Sequence, residues 1–206
     1  MEQLATLRAI VGLDVVRPGD ANEVPVAWKT MLENHENPAG IILTRQNIPT
    51  YARGNGAAEG DTFGSAAGVA KGGYVLAEAS KDGATVPAQV LLLATGSEVQ
   101  LAVQAREDLQ AEGIATRVIS MPCVEWFNKQ DAAYRESVLP VAVKARVSVE
   151  AGLALGWKEF VGDAGRSISL EHYGASADFK RLFQEFGITA EAVAAAAKDS
   201  LAAAGS

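Results

Sequence analysis

Few side chains in this sequence combine a reactive type with a placement suited to chemistry. Arg45 stands just past the apolar run Ile41-Ile42-Leu43. If that run is a strand of an open α/β sheet, Arg45 lies at its carboxyl end, where such sheets place their ligands. A planar fork of donors there suits a phosphate or a carboxylate, although a surface or interdomain salt bridge is the plainer account. Thr95-Gly96-Ser97 joins a buried-looking run to a helical pattern, so its backbone amides could hold an anion. A strand must turn into a helix somehow, however, and the full dinucleotide fingerprint is missing, with Glu98 too close to serve as the ribose carboxylate. Cys123 follows Pro122 after a strand and reads as a buried, inert thiol. His172 beside Glu171 suggests an acid–base pair, but neighbours on a strand face opposite ways. His35 ends a helix, where positive charge is favourable. Trp126, Trp157 and Tyr173 are scattered and read as core or interface, not as a base-stacking stripe.

The elements that would position these groups alternate short β-branched runs with helical stretches, the pattern of an α/β sheet with crossover helices. Residues 13–16 read as a strand and 17–20 as a turn. Asp20 or Asn22 caps a helix running to about Glu33, with Val24, Trp28, Met31 and Leu32 roughly on one face. A buried strand follows at 39–43. Between Gln46 and Gly73 the glycines Gly54, Gly56, Gly60, Gly64 and Gly68 fall among Ala and Ser, which reads as a flexible linker and not as a phosphate cradle. Strands are expected at 73–76, 88–94, 115–119, 145–150 and 167–170. Ser97 is the expected cap of a helix over 98–112, Gly113 its C′ residue, and further helices are expected at 129–137 and from Thr189 onward.

The 206 residues carry 18 Lys+Arg against 25 Asp+Glu, a formal charge of −7, with 49% hydrophobic residues. That composition is globular, and the net negative field disfavours nucleic acid or an anionic membrane surface as a partner. One cysteine and two histidines allow no internal disulfide and no Cys- or His-rich metal pattern. The start Met1-Glu2-Gln3-Leu4 lacks the basic and apolar blocks of a signal peptide, and apolar runs such as 90–94 are strand-sized. A soluble, cytoplasmic protein is the expectation.

A series of strings resembles consecutive segments of transketolases. They are Leu13-Asp14-Val15-Val16-Arg17-Pro18-Gly19-Asp20, Ile41-Ile42-Leu43-Thr44-Arg45-Gln46-Asn47, Lys71-Gly72-Gly73-Tyr74-Val75-Leu76 and Ala94-Thr95-Gly96-Ser97-Glu98-Val99. Then come Arg117-Val118-Ile119-Ser120-Met121-Pro122, the stretch 129–140, Val149-Glu150-Ala151-Gly152 and Phe183-Gln184-Glu185-Phe186-Gly187. They keep the family's order and cover nearly the whole chain.

The resemblance implies residues 1–52 as the end of a pyrimidine-binding domain, 53–71 as a Gly-rich linker, and 72–206 as a complete C-terminal domain. The expected fold class is α/β: a mostly parallel mixed sheet flanked by helices, preceded by a partial α/β unit. The implied whole enzyme transfers a two-carbon ketol unit between sugar phosphates in the pentose phosphate pathway. It would use thiamine diphosphate and a divalent metal (Mg or Ca), and work as a homodimer. The residue that activates the cofactor, the metal site and most of the catalytic histidines lie upstream in the family. The resemblance therefore assigns no catalytic, cofactor-binding or metal-binding residue to this chain, and implies that alone it binds no cofactor and is inactive. One position carries over: Arg45 matches the family arginine that binds the substrate phosphate. The alternatives are a stand-alone structural or interaction module, and a split-enzyme subunit that needs an N-terminal partner.

Overall fold

The computed structural model describes residues 2–53 and 63–205. A short helix, α1 (Gln3–Arg8), leads into β1 (Asp14–Val16), α2 (Glu23–Glu33) and β2 (Ala39–Ile41). β1 and β2 pair in parallel as a two-stranded sheet, Val15 opposite Gly40. After a 3-10 turn at Ala66–Lys71 come β3 (Tyr74–Ala77) and a small hairpin, β4 (Ser80–Lys81) with β5 (Ala84–Thr85). β6 (Val90–Ala94), α3 (Val99–Ala111), β7 (Thr116–Ser120), α4 (Val124–Asn128), α5 (Ala132–Val138), β8 (Ala145–Val149), α6 (Lys158–Val161), β9 (Arg166–Ile168), α7 (Phe179–Glu185) and α8 (Ala190–Ala204) follow.

The main sheet has the order β3-β7-β6-β8-β9, parallel except for β3. β6 is fully buried along its length, as a central parallel strand covered on both faces must be. Its side chains alternate between two cores. Val90, Leu92 and Ala94 meet Val99, Ala102, Leu109, Val193 and Ala197, while Leu91 and Leu93 meet Phe127, Val138, Trp157 and Phe160. So α3 and α8 cover one face and α4, α5 and α6 the other, the architecture expected from the sequence.

The helix ends show how local chemistry sets these elements. Gly113, at φ +84°, follows α3; its amide donates to Gln110 O at 2.9 Å and the Ile114 amide to Leu109 O at 2.9 Å. This is the Schellman stop that the glycine predicts. Thr189 caps α8 through its hydroxyl, which accepts from the Ala192 amide at 3.2 Å. The helix expected over 129–137 is α5, which starts only at Ala132 because Asp131 takes an extended conformation and caps it by accepting from the Tyr134 amide at 2.7 Å; α4, ahead of that range, was not expected. Ser97 does not cap α3: its hydroxyl turns to the Glu98 carboxylate, and Gly96–Glu98 forms a single 3-10 turn ahead of the helix. The α2 face read from apolar spacing is also not the packed one. Glu23 and Ala27 are fully buried, while Trp28 and Leu32 are exposed. α1, the β4–β5 hairpin and α7 gave no legible signal.

Of the Gly-rich stretch, 54–62 lie outside the described residues. Residues 63–71 are packed: Val69 is fully buried, and the Gly64 amide donates to Leu76 O at 2.7 Å. Arg53 and Phe63 form a parallel bridge.

Candidate functional site at the carboxyl edge of the sheet

In a sheet ordered β7-β6-β8-β9, β6 leads to β7 on one side and the chain then returns to β8 on the other. The crevice between the loops after β6 and β8 is the topological switch point, the usual ligand site of such sheets. Here it contains Arg17, delivered by the loop that follows β1. The Arg17 amide donates to Pro122 O at 2.8 Å, and its carbonyl accepts from the Gly96 amide at 3.0 Å and the Thr95 hydroxyl at 3.3 Å. Its guanidinium reaches Glu150 Oε1 at 2.7 Å and Glu98 Oε2 at 3.0 Å.

Both carboxylates are buried and fully engaged. Glu150 also takes Arg8 through two hydrogen bonds, at 2.7 and 2.9 Å, and the Trp157 indole N–H at 2.9 Å. Glu98 takes the Ala151 amide at 3.2 Å. Burial alone would raise the Glu150 pKa, but the hydrogen bonds and charge of Arg8, then the charge of Arg17, outweigh it and hold the group below its ordinary 4.5. Burial likewise works against the Arg17 charge, and the two carboxylates overcome it.

A second polar cluster lies at the β3–β7 end of the same edge. Asp20 Oδ1 accepts from the Asn22 and Glu23 amides at 3.1 and 2.9 Å, so Asp20 is the effective cap of α2, one of the two candidates. Glu23 reaches back to the Gly19 amide at 2.7 Å, as in a capping box. Its other oxygen accepts from the Tyr74 hydroxyl at 2.6 Å and the Ser120 hydroxyl at 2.7 Å. Arg53 closes the cluster, donating to Asp20 at 2.6 Å and to the Tyr74 oxygen at 2.8 Å. Burial dominates at Glu23 and raises its pKa above 4.5, against the hydrogen bonds it receives. Between the two clusters Asp14 accepts from the Trp126 indole at 2.7 Å and Glu125 accepts from the Val15 amide at 3.2 Å. The strand ends Ser120, Ala94 and Val149 are thus roofed by the segment 14–23.

The two clusters respond oppositely to acid. Glu23, with a raised folded pKa, binds protons more readily folded than unfolded, so lowering pH towards 4.5 stabilises the fold. Glu150, with a depressed folded pKa, contributes fully above 4.5 and loses its contribution as pH falls through its folded value. A thermal midpoint that first rises and then falls as pH decreases through this window is expected. Glu23→Gln should abolish the rise and leave the fall.

The residues singled out from sequence are dispersed. Arg45 lies past β2 on an exposed stretch, and no carboxylate among the described residues pairs with it. Cys123 is buried, 3.2 Å from Glu125, and burial and then that carboxylate push its thiol pKa well up. Glu171 and His172 do not pair: Glu171 accepts from the Ala154 amide at 2.7 Å, while His172 contacts the Tyr173 carbonyl and the Phe186 ring. His35 lies beyond the end of α2 and is exposed. Trp126 and Trp157 are core, while Tyr173 is exposed. Sequence reasoning missed the roles of Arg17, Glu150, Glu23 and Arg53. The available signal was an acidic residue directly after a strand's carboxyl end, as at Val149-Glu150.

The family models described as "Transketolase-like TK C-terminal domain" and "Transketolase, pyrimidine binding domain" match residues 72–189 and 1–50. The chain belongs to the transketolase family. It is 52% identical over 203 residues to the transketolase of Mycobacterium leprae and 46% identical over 198 residues to that of Halalkalibacterium halodurans. These alignments cover 98% and 96% of this chain but 28% of each relative, so the chain corresponds to a C-terminal portion of them. Among solved structures, the transketolase of Pichia stipitis in complex with sedoheptulose-7-phosphate superposes with a TM-score of 0.84 at 35% identity. That match covers 98% of this chain and 27% of the other. The transketolase of Leishmania mexicana matches with the same TM-score, identity and coverage.

The donor set among the described residues does not fit a metal ion. No group of three or more His, Cys, Asp or Glu among the described residues could hold a metal ion. The buried carboxylates Asp14, Asp20, Glu23, Glu98 and Glu150 are all committed to partners within the chain.

Proposed function

We propose that this chain is the C-terminal part of a thiamine-diphosphate-dependent transketolase whose intact form moves a two-carbon ketol unit between sugar phosphates. In this reading Arg45 binds the phosphate of the sugar substrate, and the cofactor and its divalent metal (Mg or Ca) are held by parts of the enzyme outside this chain. The intact enzyme is read as a cytoplasmic homodimer of the pentose phosphate pathway. Residues 1–52 are read as the end of the pyrimidine-binding domain, 53–71 as the connection and 72–206 as the C-terminal domain.

The observation that carries the phosphate role is the placement of Arg45. Its guanidinium is solvent-exposed at the carboxyl end of β2, free of any carboxylate among the described residues, in a chain similar to a transketolase solved with a sugar phosphate. A charge-assisted hydrogen bond contributes about 1.5–3 kcal/mol. In the full-length enzyme, Arg45→Ala is therefore expected to lower kcat/KM for a ketose phosphate by about 10–100-fold. An unphosphorylated ketose should be nearly unaffected. Equal losses on both substrates would remove Arg45 from the phosphate site. The roofing of the sheet by residues 14–23 speaks against a stand-alone C-terminal module, because separation would take Arg8 and Arg17 away from the buried carboxylates of Glu98 and Glu150.

A further inference from the structure

We infer that the recess between Glu98 and Glu150 is a guanidinium-binding site built into the C-terminal domain, and that Arg17 is the ligand the chain supplies to itself. Three observations carry this. The first is position: the recess lies at the switch point of the five-stranded sheet, where a fold of this kind receives ligands.

The second is that the carboxylates are oriented without Arg17. Ser97 and the Ala151 amide hold Glu98, and the Trp157 indole holds Glu150, all from the same side of the interface as the carboxylates themselves. Acceptors fixed in place before the ligand arrives make a site, because docking then costs little reorganisation.

The third is shape. Gly96, at φ +58°, forms a flat wall: a Cβ there would stand 2.9 Å from Arg17 Cζ and Nη2. A planar group fits against that wall while its two terminal nitrogens reach two separate carboxylates, at 2.7 and 3.0 Å. An ammonium is a single point of charge and cannot span both in this way. Without Arg17, the pair of carboxylates would face only one cation among the described residues, Arg8. The C-terminal domain therefore recognises the N-terminal unit as it would a ligand, and any other occupant of this crevice must carry a guanidinium and displace Arg17.

Chemical rescue tests the site independently of enzyme activity. Arg17→Ala in this chain leaves the recess without its ligand. Methylguanidinium, at about tenfold over its dissociation constant, is expected to raise the variant's thermal midpoint by about 3–6 °C. The unsubstituted chain should show no such gain, methylammonium should not substitute, and Glu98→Gln in the Arg17→Ala background should lose the response. If Arg17→Ala does not fold, the yield of folded protein on refolding with and without methylguanidinium is read instead, together with the thermal response of Arg17→Met. Equal rescue by methylammonium, an undiminished response with Glu98→Gln, or no response in either Arg17 variant overturns the inference.

Discussion

Glu150→Ala is expected to destabilise this chain by about 3–5 kcal/mol, because it strands two arginines in a buried setting. Glu150 is 2% exposed and lies between Arg8 and Arg17, accepting three hydrogen bonds from them and one from the Trp157 indole. Among the described residues, removing the carboxylate leaves Arg17 with Glu98 alone and Arg8 with only the Trp157 ring near its guanidinium, 5.7 Å away. For a chain of this length the loss corresponds to a midpoint lower by about 6–20 °C. The measurement is a denaturant or thermal unfolding curve of the variant beside the parent.

The comparison that isolates the cause is the double variant Arg17→Met with Glu150→Ala. Replacing both members of a buried ion pair by apolar groups is often far milder than removing one. The double variant should therefore lose less than the sum of the two single losses, a positive coupling in the cycle. Simple additivity would mean that Arg17 and Glu150 contribute through separate packing effects. Because Arg8 and Arg17 come from α1 and the β1 loop while Glu150 follows β8, the coupling also reports whether the N-terminal unit stays docked in solution.

The contrast between what was and was not legible in the sequence follows from the range of the interactions. β6 reads correctly from Val90 to Ala94 because a strand covered on both faces must be apolar throughout, and that is written in consecutive residues. Gly113 and Thr189 read correctly because caps are decided within four residues of chain. Arg17, Glu98 and Glu150 are separated by 81 and 133 positions along the chain, counted from Arg17. No local pattern connects them, and each alone resembles an ordinary surface charge. The misread face of α2 has the same origin: its buried side presents Glu23 to Tyr74 and Ser120, so the helix packs through hydrogen bonds that a hydrophobicity pattern cannot register. Arg45 is the converse case. Its position past a strand was plain from sequence, but the phosphate role proposed for it rests on the family resemblance, since the exposed guanidinium has no partner among the described residues to define one.

Gly72→Ala is expected to cost about 3 kcal/mol or more. Gly72 sits at φ +81°, a backbone region that costs an alanine about 1–2 kcal/mol. A Cβ built there would also stand 2.2 Å from the Phe127 amide nitrogen and 2.3 Å from the Cys123 carbonyl oxygen. Those atoms are backbone of α4 and of the residue that precedes it, so no side-chain rotation relieves the clash. The Gly72 carbonyl, which accepts from the Cys123 amide at 2.9 Å, would be pushed away from its partner as well. Gly83→Ala supplies the control. Gly83 has nearly the same backbone, φ +77°, but nothing lies within 4 Å of its built Cβ. Its loss should be limited to the conformational cost, so the difference between the two unfolding free energies measures the clash at Gly72 alone. Similar losses for the two variants would mean that α4 shifts to accommodate the methyl. Trp126, within that helix and bonded to Asp14, would then move with it, and its fluorescence in the folded state would report the displacement.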